Sequence, residues 1–254
     1  MTESIPRMDT AGRSKARSKV AEAVSQRAEM DALIQGWWAL LPFFAVIIGL
    51  AGLVAFALLV PGPIGLLLAI SVMFTLGFAF LAILNYKMTR RLVEHARREA
   101  LLRRSLADFL RASGEGGGQK GRIVAGVSLI DDLEKEASEQ ERLPNPAYAA
   151  MAALPFVGVL VGYYYLYHIN RVQAPHDRRW AMLVQQTSSA FAKLGLTVPA
   201  PAPQTMRPRP FIIYLLLSLL FPFLGYWYHV LIKEMNGHIK AQHSIEDQII
   251  SALR

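Results

Sequence analysis

Apolar residues in this chain are gathered into four long runs without one charged side chain, and polar residues fill the intervals. The first run is Trp37 to Val60 and the second Ile64 to Tyr86. The third is Ala147 to Ile169 and the fourth Phe211 to Ile232. At about 1.5 Å per helical residue, the 24 residues of the first run reach across a hydrocarbon core of roughly 30 Å. Pro61-Gly62-Pro63 breaks the chain between the first two runs, which predicts a helical hairpin over 37–86. The expected architecture is an all-α integral membrane bundle of about four transmembrane helices, with amphipathic helices attached on the cytoplasmic side.

The polar intervals carry a helical period of their own. In the basic segment 1–36, Val20, Val24, Met30, Leu33 and Ile34 recur at helical spacing after a start that reads as disordered. In segment 87–145, Met88, Leu92, Ala96, Leu102, Leu106 and Phe109 trace one helical face. Arg90, Arg91, Arg97, Arg98, Arg103 and Arg104 crowd the rest and form a candidate surface for an anionic leaflet or an acidic partner. A glycine-rich linker over 112–121 precedes an acidic stretch, Asp131 to Glu141, which either folds back on the arginine helix or stands in solvent. Segment 170–210 is amphipathic near Trp180–Leu194 and then proline-rich, and 233–254 is a final amphipathic helix.

Sidedness follows from the basic residues. Four alternating spans place 21 of the 27 Lys and Arg on the side of the two termini and 6 opposite, which predicts a multi-pass cell-membrane protein with cytoplasmic ends. A weak internal repeat disagrees. Leu41-Pro42-Phe43, Leu154-Pro155-Phe156 and Phe221-Pro222-Phe223 punctuate three of the runs. The third and fourth also share Tyr-x-Tyr-His (Tyr165–His168 and Tyr226–His229), each followed by an Asn and a second His: Asn170 and His176, Asn236 and His238. Repeats in one orientation put these ends on one side, whereas alternation puts them on opposite sides. A re-entrant hairpin at one of these segments would resolve the conflict.

Composition agrees with a membrane protein: 53% hydrophobic, 18% charged, mean hydropathy +0.29. The net charge of +8 is accounted for by bases flanking the apolar runs, and with no nucleic-acid motif no nucleic-acid partner is expected. The absence of cysteine excludes disulfides, thiolate metal sites and cysteine nucleophiles. The apolar run at Trp37 is too long and too late for a cleaved signal peptide. The runs hold no Asp, Glu, Lys or Arg, which counts against ion-coupled transport.

Candidate chemistry is sparse. Gly116–Gly121 matches GxGxxG in letters but follows a helix, not a strand, and is rejected as a dinucleotide site. Among six histidines, His168 and His229 form the candidate pair for a haem, because their local pattern repeats. His238 and His243, five apart, share a helical face poorly, and neither a resident cofactor nor a metal is expected. Gly158 and Gly162 form a GxxxG for close helix packing, within the chain or between copies. The function expected is non-enzymatic: a membrane anchor, scaffold or accessory subunit with a protein partner or a homo-oligomeric state. The alternatives are a passive channel or small-solute transporter, in oligomeric form or not, and a haem-binding electron-transfer membrane subunit.

Overall fold

Proline marks where long helices begin. Pro42 lies in the first turn of α3 (Leu41–Leu59), Pro63 opens α4 (Pro63–Gly114), and Pro222 lies in the first turn of α8 (Phe221–Ala252). There the missing N–H costs nothing, because first-turn donors have no intrahelical acceptor. A computed structural model describes residues 10–60, 62–114, 120–154 and 157–254. Among these the chain is helical, with no strand. The remaining elements are α1 (Thr10–Ser25), α2 (Arg27–Met30), α5 (Lys120–Gln140), α6 (Val157–Lys193) and α7 (Phe211–Leu217), with short 3₁₀ helices at Gly36–Leu40 and Pro146–Ala153. Helix α1 starts at Thr10, inside the stretch expected to be disordered. Residues 115–119 of the glycine-rich linker, with four of the six GxGxxG letters, lie outside the described residues, as does Pro155-Phe156.

Among the described residues, one helix is long and apolar enough to cross a membrane, the start of α4, which carries the second apolar run. That helix continues without interruption through Lys87 and the arginine segment to Gly114, 52 residues in all. The third and fourth runs are not single helices. Each is a short arm ahead of the start of a longer helix: the Pro146–Ala153 arm before α6, and α7 before α8.

The long helices α4, α6 and α8 run parallel. Their paired residues advance together: Asn85 with Tyr228 and Arg98 with Glu246 between α4 and α8, Asn170 with Trp227 and Asp177 with His238 between α6 and α8. On the other pair, Gly162 approaches Leu81 and His176 approaches Glu99. Helices α1 and α5 run back antiparallel along α4, as Lys19–Asp108 with Asp31–His95, and Arg111–Asp131 with Arg103–Glu134, require. The third return, from Leu196 to Pro210, is extended and proline-rich. The fold is thus three similar units, each a return segment, an apolar arm and an outbound helix.

Two apolar cores follow. One, near the apolar runs, gathers Leu84, Met88, Leu92, Ile169, Trp227, Tyr228 and Met235. The other, in the polar half, gathers Leu102, Leu106, Phe109, Ile130, Trp180, Phe191 and Ile249. The acidic stretch folds back on the arginine helix, with Glu134 bridging Arg103 and Arg104 and Asp131 meeting Arg111.

Gly158 and Gly162 pack within the chain. A Cβ on Gly158 would fall 2.3 Å from the Ala152 carbonyl oxygen and 3.2 Å from Phe78, and one on Gly162 2.7 Å from Leu81. Because the Ala152 contact is backbone, Gly158→Ala should lower stability by about 1–3 kcal/mol, the usual cost of overpacking. Gly126→Ala, with nothing within 4 Å of the new methyl, should instead stabilise α5 by roughly 0.5–1 kcal/mol. Thermal unfolding of both variants in detergent checks the opposite signs.

Candidate metal centre

Between the two cores, each outbound helix contributes one buried histidine at the same level: His95 on α4, His176 on α6 and His238 on α8. Their ring centroids lie 5.1, 5.5 and 5.0 Å apart. One helical turn beyond His95, on the same face of α4, stands buried Glu99. One donor atom from each of the four residues lies within 4.8 Å of the others.

In each ring one nitrogen is engaged and the other faces the centre. His95 Nδ1 meets Asp31 Oδ1 at 2.8 Å, His176 Nδ1 meets Glu141 Oε1 at 3.0 Å, and His238 Nδ1 meets Asp177 Oδ1 at 2.7 Å. An ionised carboxylate only accepts, so the Nδ1 proton is fixed and Nε2 carries the free position. The Nε2 atoms of all three histidines are buried without a hydrogen-bond partner, and so is Oε2 of Glu99. His176 Nε2 lies 3.1 Å from that oxygen and His95 Nε2 3.8 Å. His176 and Glu99 attract by charge, but neither contact meets hydrogen-bond geometry. The other carboxylate oxygen of Glu99 accepts from Arg103 at 2.5 Å.

The carboxylates have a structural logic. Asp31 and Glu141 each follow the return helices of their unit, α1–α2 and α5. The third return segment supplies no acid there. Instead it holds Asp177, whose Oδ2 accepts from the backbone amides of Thr205 and Met206 at 2.7 and 2.9 Å. Cations complete the shell. Arg98 bridges Asp31 and Glu246 at 2.8 Å each, and Arg179 meets Glu141 at 2.6 Å. His243 adds a contact of 2.6 Å to Asp31.

Protonation follows from these neighbours. Burial disfavours the charged imidazolium and outweighs Asp31, pulling His95 down to about 4, and it lowers His238 likewise. Both rings are therefore neutral near pH 7. Burial pushes His176 the same way, but Glu99 and Glu141 override it and raise this ring to about 9. Burial also works against ionised Asp31, Glu141 and Asp177, yet their partners hold all three below the usual carboxylate range. The cluster is two imidazoles with free lone pairs, one imidazolium and one carboxylate, converging on one point.

The residues singled out by sequence fall into place unevenly. His168 packs on Tyr164 and Tyr167, and His229 stands exposed beside Gly36. The histidines brought together are the second pair of the repeat, His176 and His238, joined by His95. The arginines divide into two sets. Arg90, Arg97 and Arg104 are exposed at seven-residue spacing, whereas Arg91, Arg98 and Arg103 are buried. Those three are internal ion-pair and hydrogen-bond donors, Arg91 reaching Asn236 at 2.6 Å, and do not form a lipid or partner surface. One sequence signal for the site was available. His95-Ala-Arg-Arg-Glu99 and His176-Asp-Arg-Arg-Trp180 share His-x-Arg-Arg, and His238-Ile-Lys keeps the basic residue at the same offset.

No protein-family description, curated protein or solved structure matches the chain.

Arg98 and Arg97 test the division of the arginines. Arg98→Ala removes the guanidinium that two buried carboxylates share and should cost about 3–5 kcal/mol. The neighbouring exposed Arg97→Ala should change stability by no more than about 0.5 kcal/mol. Denaturant midpoints of the two variants give the comparison.

Proposed function

We propose that this chain is a membrane-embedded metalloprotein in which one first-row divalent ion ties the three outbound helices together at the edge of the apolar region. The observation that carries this reading is the convergence of four buried donor atoms that make no hydrogen bond, the Nε2 of His95, His176 and His238 and the Oε2 of Glu99, with the ion displacing the Nε2 proton of His176 on binding. A buried polar atom without a partner is costly, and four at one point suit a ligand shell. Carboxylates on the outer nitrogen of each ring are the usual support of metal-bound imidazoles, since they fix the tautomer and raise basicity.

The donor set selects the ion. Three imidazoles and one carboxylate suit zinc and its neighbours and give no purchase to cations that need all-oxygen shells. Bonds of about 2.0–2.1 Å in a tetrahedron hold ligand atoms roughly 3.3 Å apart. The 3.1 and 3.8 Å spacings around Glu99 already bracket that value. Four protein donors close the shell, as in structural zinc sites. This supports a holding role for the ion and keeps the expected non-enzymatic anchor or scaffold as the wider role. The exposed stripe of Arg90, Arg97 and Arg104 is the part of the arginine helix still available to anionic lipid or an acidic partner.

Elemental analysis of the protein purified in mild detergent should find close to one divalent transition-metal ion per chain, lost in His176→Ala and in His238→Ala. Glu141→Gln, which leaves the four donors in place, should weaken binding by about 10–100-fold, measured by competition with a chelator. Wild-type protein that holds no ion as purified and takes up neither Zn²⁺ nor Co²⁺ would overturn the reading.

A further inference from the structure

The apolar half of the molecule carries an inference that is independent of the metal ion. We infer that the two short hairpins, 146–169 and 211–232, are re-entrant in one leaflet of a phospholipid bilayer. Only the α3–α4 hairpin then crosses the bilayer, and every polar segment lies on one side.

The first argument is direction. Tyr165 donates to the Asn145 carbonyl at 2.5 Å while Gly158 sits against the carbonyl of Ala152, so the 146–153 arm runs antiparallel to the start of α6. The rings of Phe211 and Tyr214 both pack against Trp227, tilted and edge-on, and Tyr214 also meets Phe223, so α7 folds back on the start of α8. A segment that turns back on itself returns to the side it came from.

The second argument is depth. From Ile64 to Tyr86, α4 extends about 34 Å, enough for a hydrocarbon core of roughly 30 Å. The apolar starts of α6 and α8, Val157–Ile169 and Phe221–Ile232, extend only about 18–20 Å. Gly158, at the tip of the second hairpin, meets Phe78, about 12 Å along α4 from Tyr86. That tip therefore reaches about the middle of the core.

The third argument is the chemistry of the turns. Leu219 and Leu220 at the tip are 76% and 66% exposed, which suits lipid and does not suit water. Backbone N–H groups in hydrocarbon need internal acceptors. Those of Ser218, Leu219 and Leu220 bond to Tyr214, Leu216 and Leu217 carbonyls at 2.9, 3.2 and 3.0 Å, and the N–H of Leu154 bonds to Met151 at 3.1 Å. The Ser218 hydroxyl is held by the Leu215 carbonyl and the Tyr163 hydroxyl at 2.6 and 2.8 Å.

The fourth is charge. With re-entrant hairpins all 27 Lys and Arg fall on one side of the bilayer and none on the other, where four alternating spans leave 6 on the far side. Lys87, lying 4.1 Å over the Trp38 ring, and exposed Tyr86 and Tyr167 mark the boundary level. This arrangement also restores one orientation to the two Tyr-x-Tyr-His repeats.

The chain lacks cysteine, so exposed single-cysteine variants test the inference directly in sealed vesicles with a membrane-impermeant maleimide. Ser138→Cys, Ser189→Cys and Ser251→Cys should all label from the same side, and Ile64→Cys from the opposite side only. Labelling of Ser189→Cys from the side opposite to Ser138→Cys and Ser251→Cys would establish alternation and overturn the inference. Release of the wild-type protein from membranes by alkaline carbonate would overturn the lipid partner itself. The labelling pattern fails separately from the metal site, and carbonate release would overturn the membrane placement in both readings while leaving metal content to be decided by elemental analysis.

Discussion

Parallel direction is the constraint on which this molecule rests. Three helices that leave the apolar region the same way present equivalent levels to one another, so one histidine on each arrives at a single point. Antiparallel neighbours would place the same residues at opposite ends of the bundle. Parallel helices need return paths, and the chain supplies three: α1 with α2, α5, and the extended stretch before α7. Each return descends toward the apolar half and turns there, which is why the runs at 146–169 and 211–232 are broken.

Electrostatics fixes the alignment. Asp31, Glu99, Glu141, Asp177 and Glu246 are ionisable groups in low dielectric, and each meets a histidine, an arginine or backbone amides. An unpaired buried charge costs several kcal/mol, while an exposed pair such as Lys19–Asp108 contributes at most about 1 kcal/mol. The inner network therefore decides register, and the outer pairs decorate it. Within that network Arg98 joins α4 to Asp31 and to α8, Arg179 joins α6 to the end of α5, and Arg103 orients Glu99. The divalent ion proposed here adds positive charge where a carboxylate and two neutral imidazoles offer lone pairs.

The two apolar cores lie on either side of this polar layer. Trp227, Tyr228 and Leu84 pack toward the apolar runs, and Trp180, Phe109 and Phe191 pack beyond them. Non-directional packing tolerates small slips along a helix axis. A layer of buried ion pairs does not, since a slip of one residue leaves a charge without its partner. The polar layer therefore gives the bundle its alignment, and the cores supply most of the burial.

The helical class, the start of a helix at Pro63, the helical period of the arginine segment and the small side chains at Gly158 and Gly162 were legible from local pattern. Helical period, proline chemistry and side-chain size act over a few residues, so the linear sequence displays them. The repeat was legible too, but it drew attention to His168 and His229, whose aromatic neighbours made the pattern conspicuous, and away from His176 and His238. His95 has no Tyr-x-Tyr-His before it and gave no such cue. Burial of Arg91, Arg98 and Arg103 was hidden because their partners Asn236, Asp31, Glu246 and Glu134 lie 31 to 148 residues away. Hydropathy alone read the third and fourth runs as single helices, because an unbroken helix and a hairpin that folds back on itself have the same apolar composition. Sequence thus determined which residues are apolar and helical. Only the tertiary structure decided which way each helix runs, because direction is set by contacts between distant segments and leaves no mark on local composition.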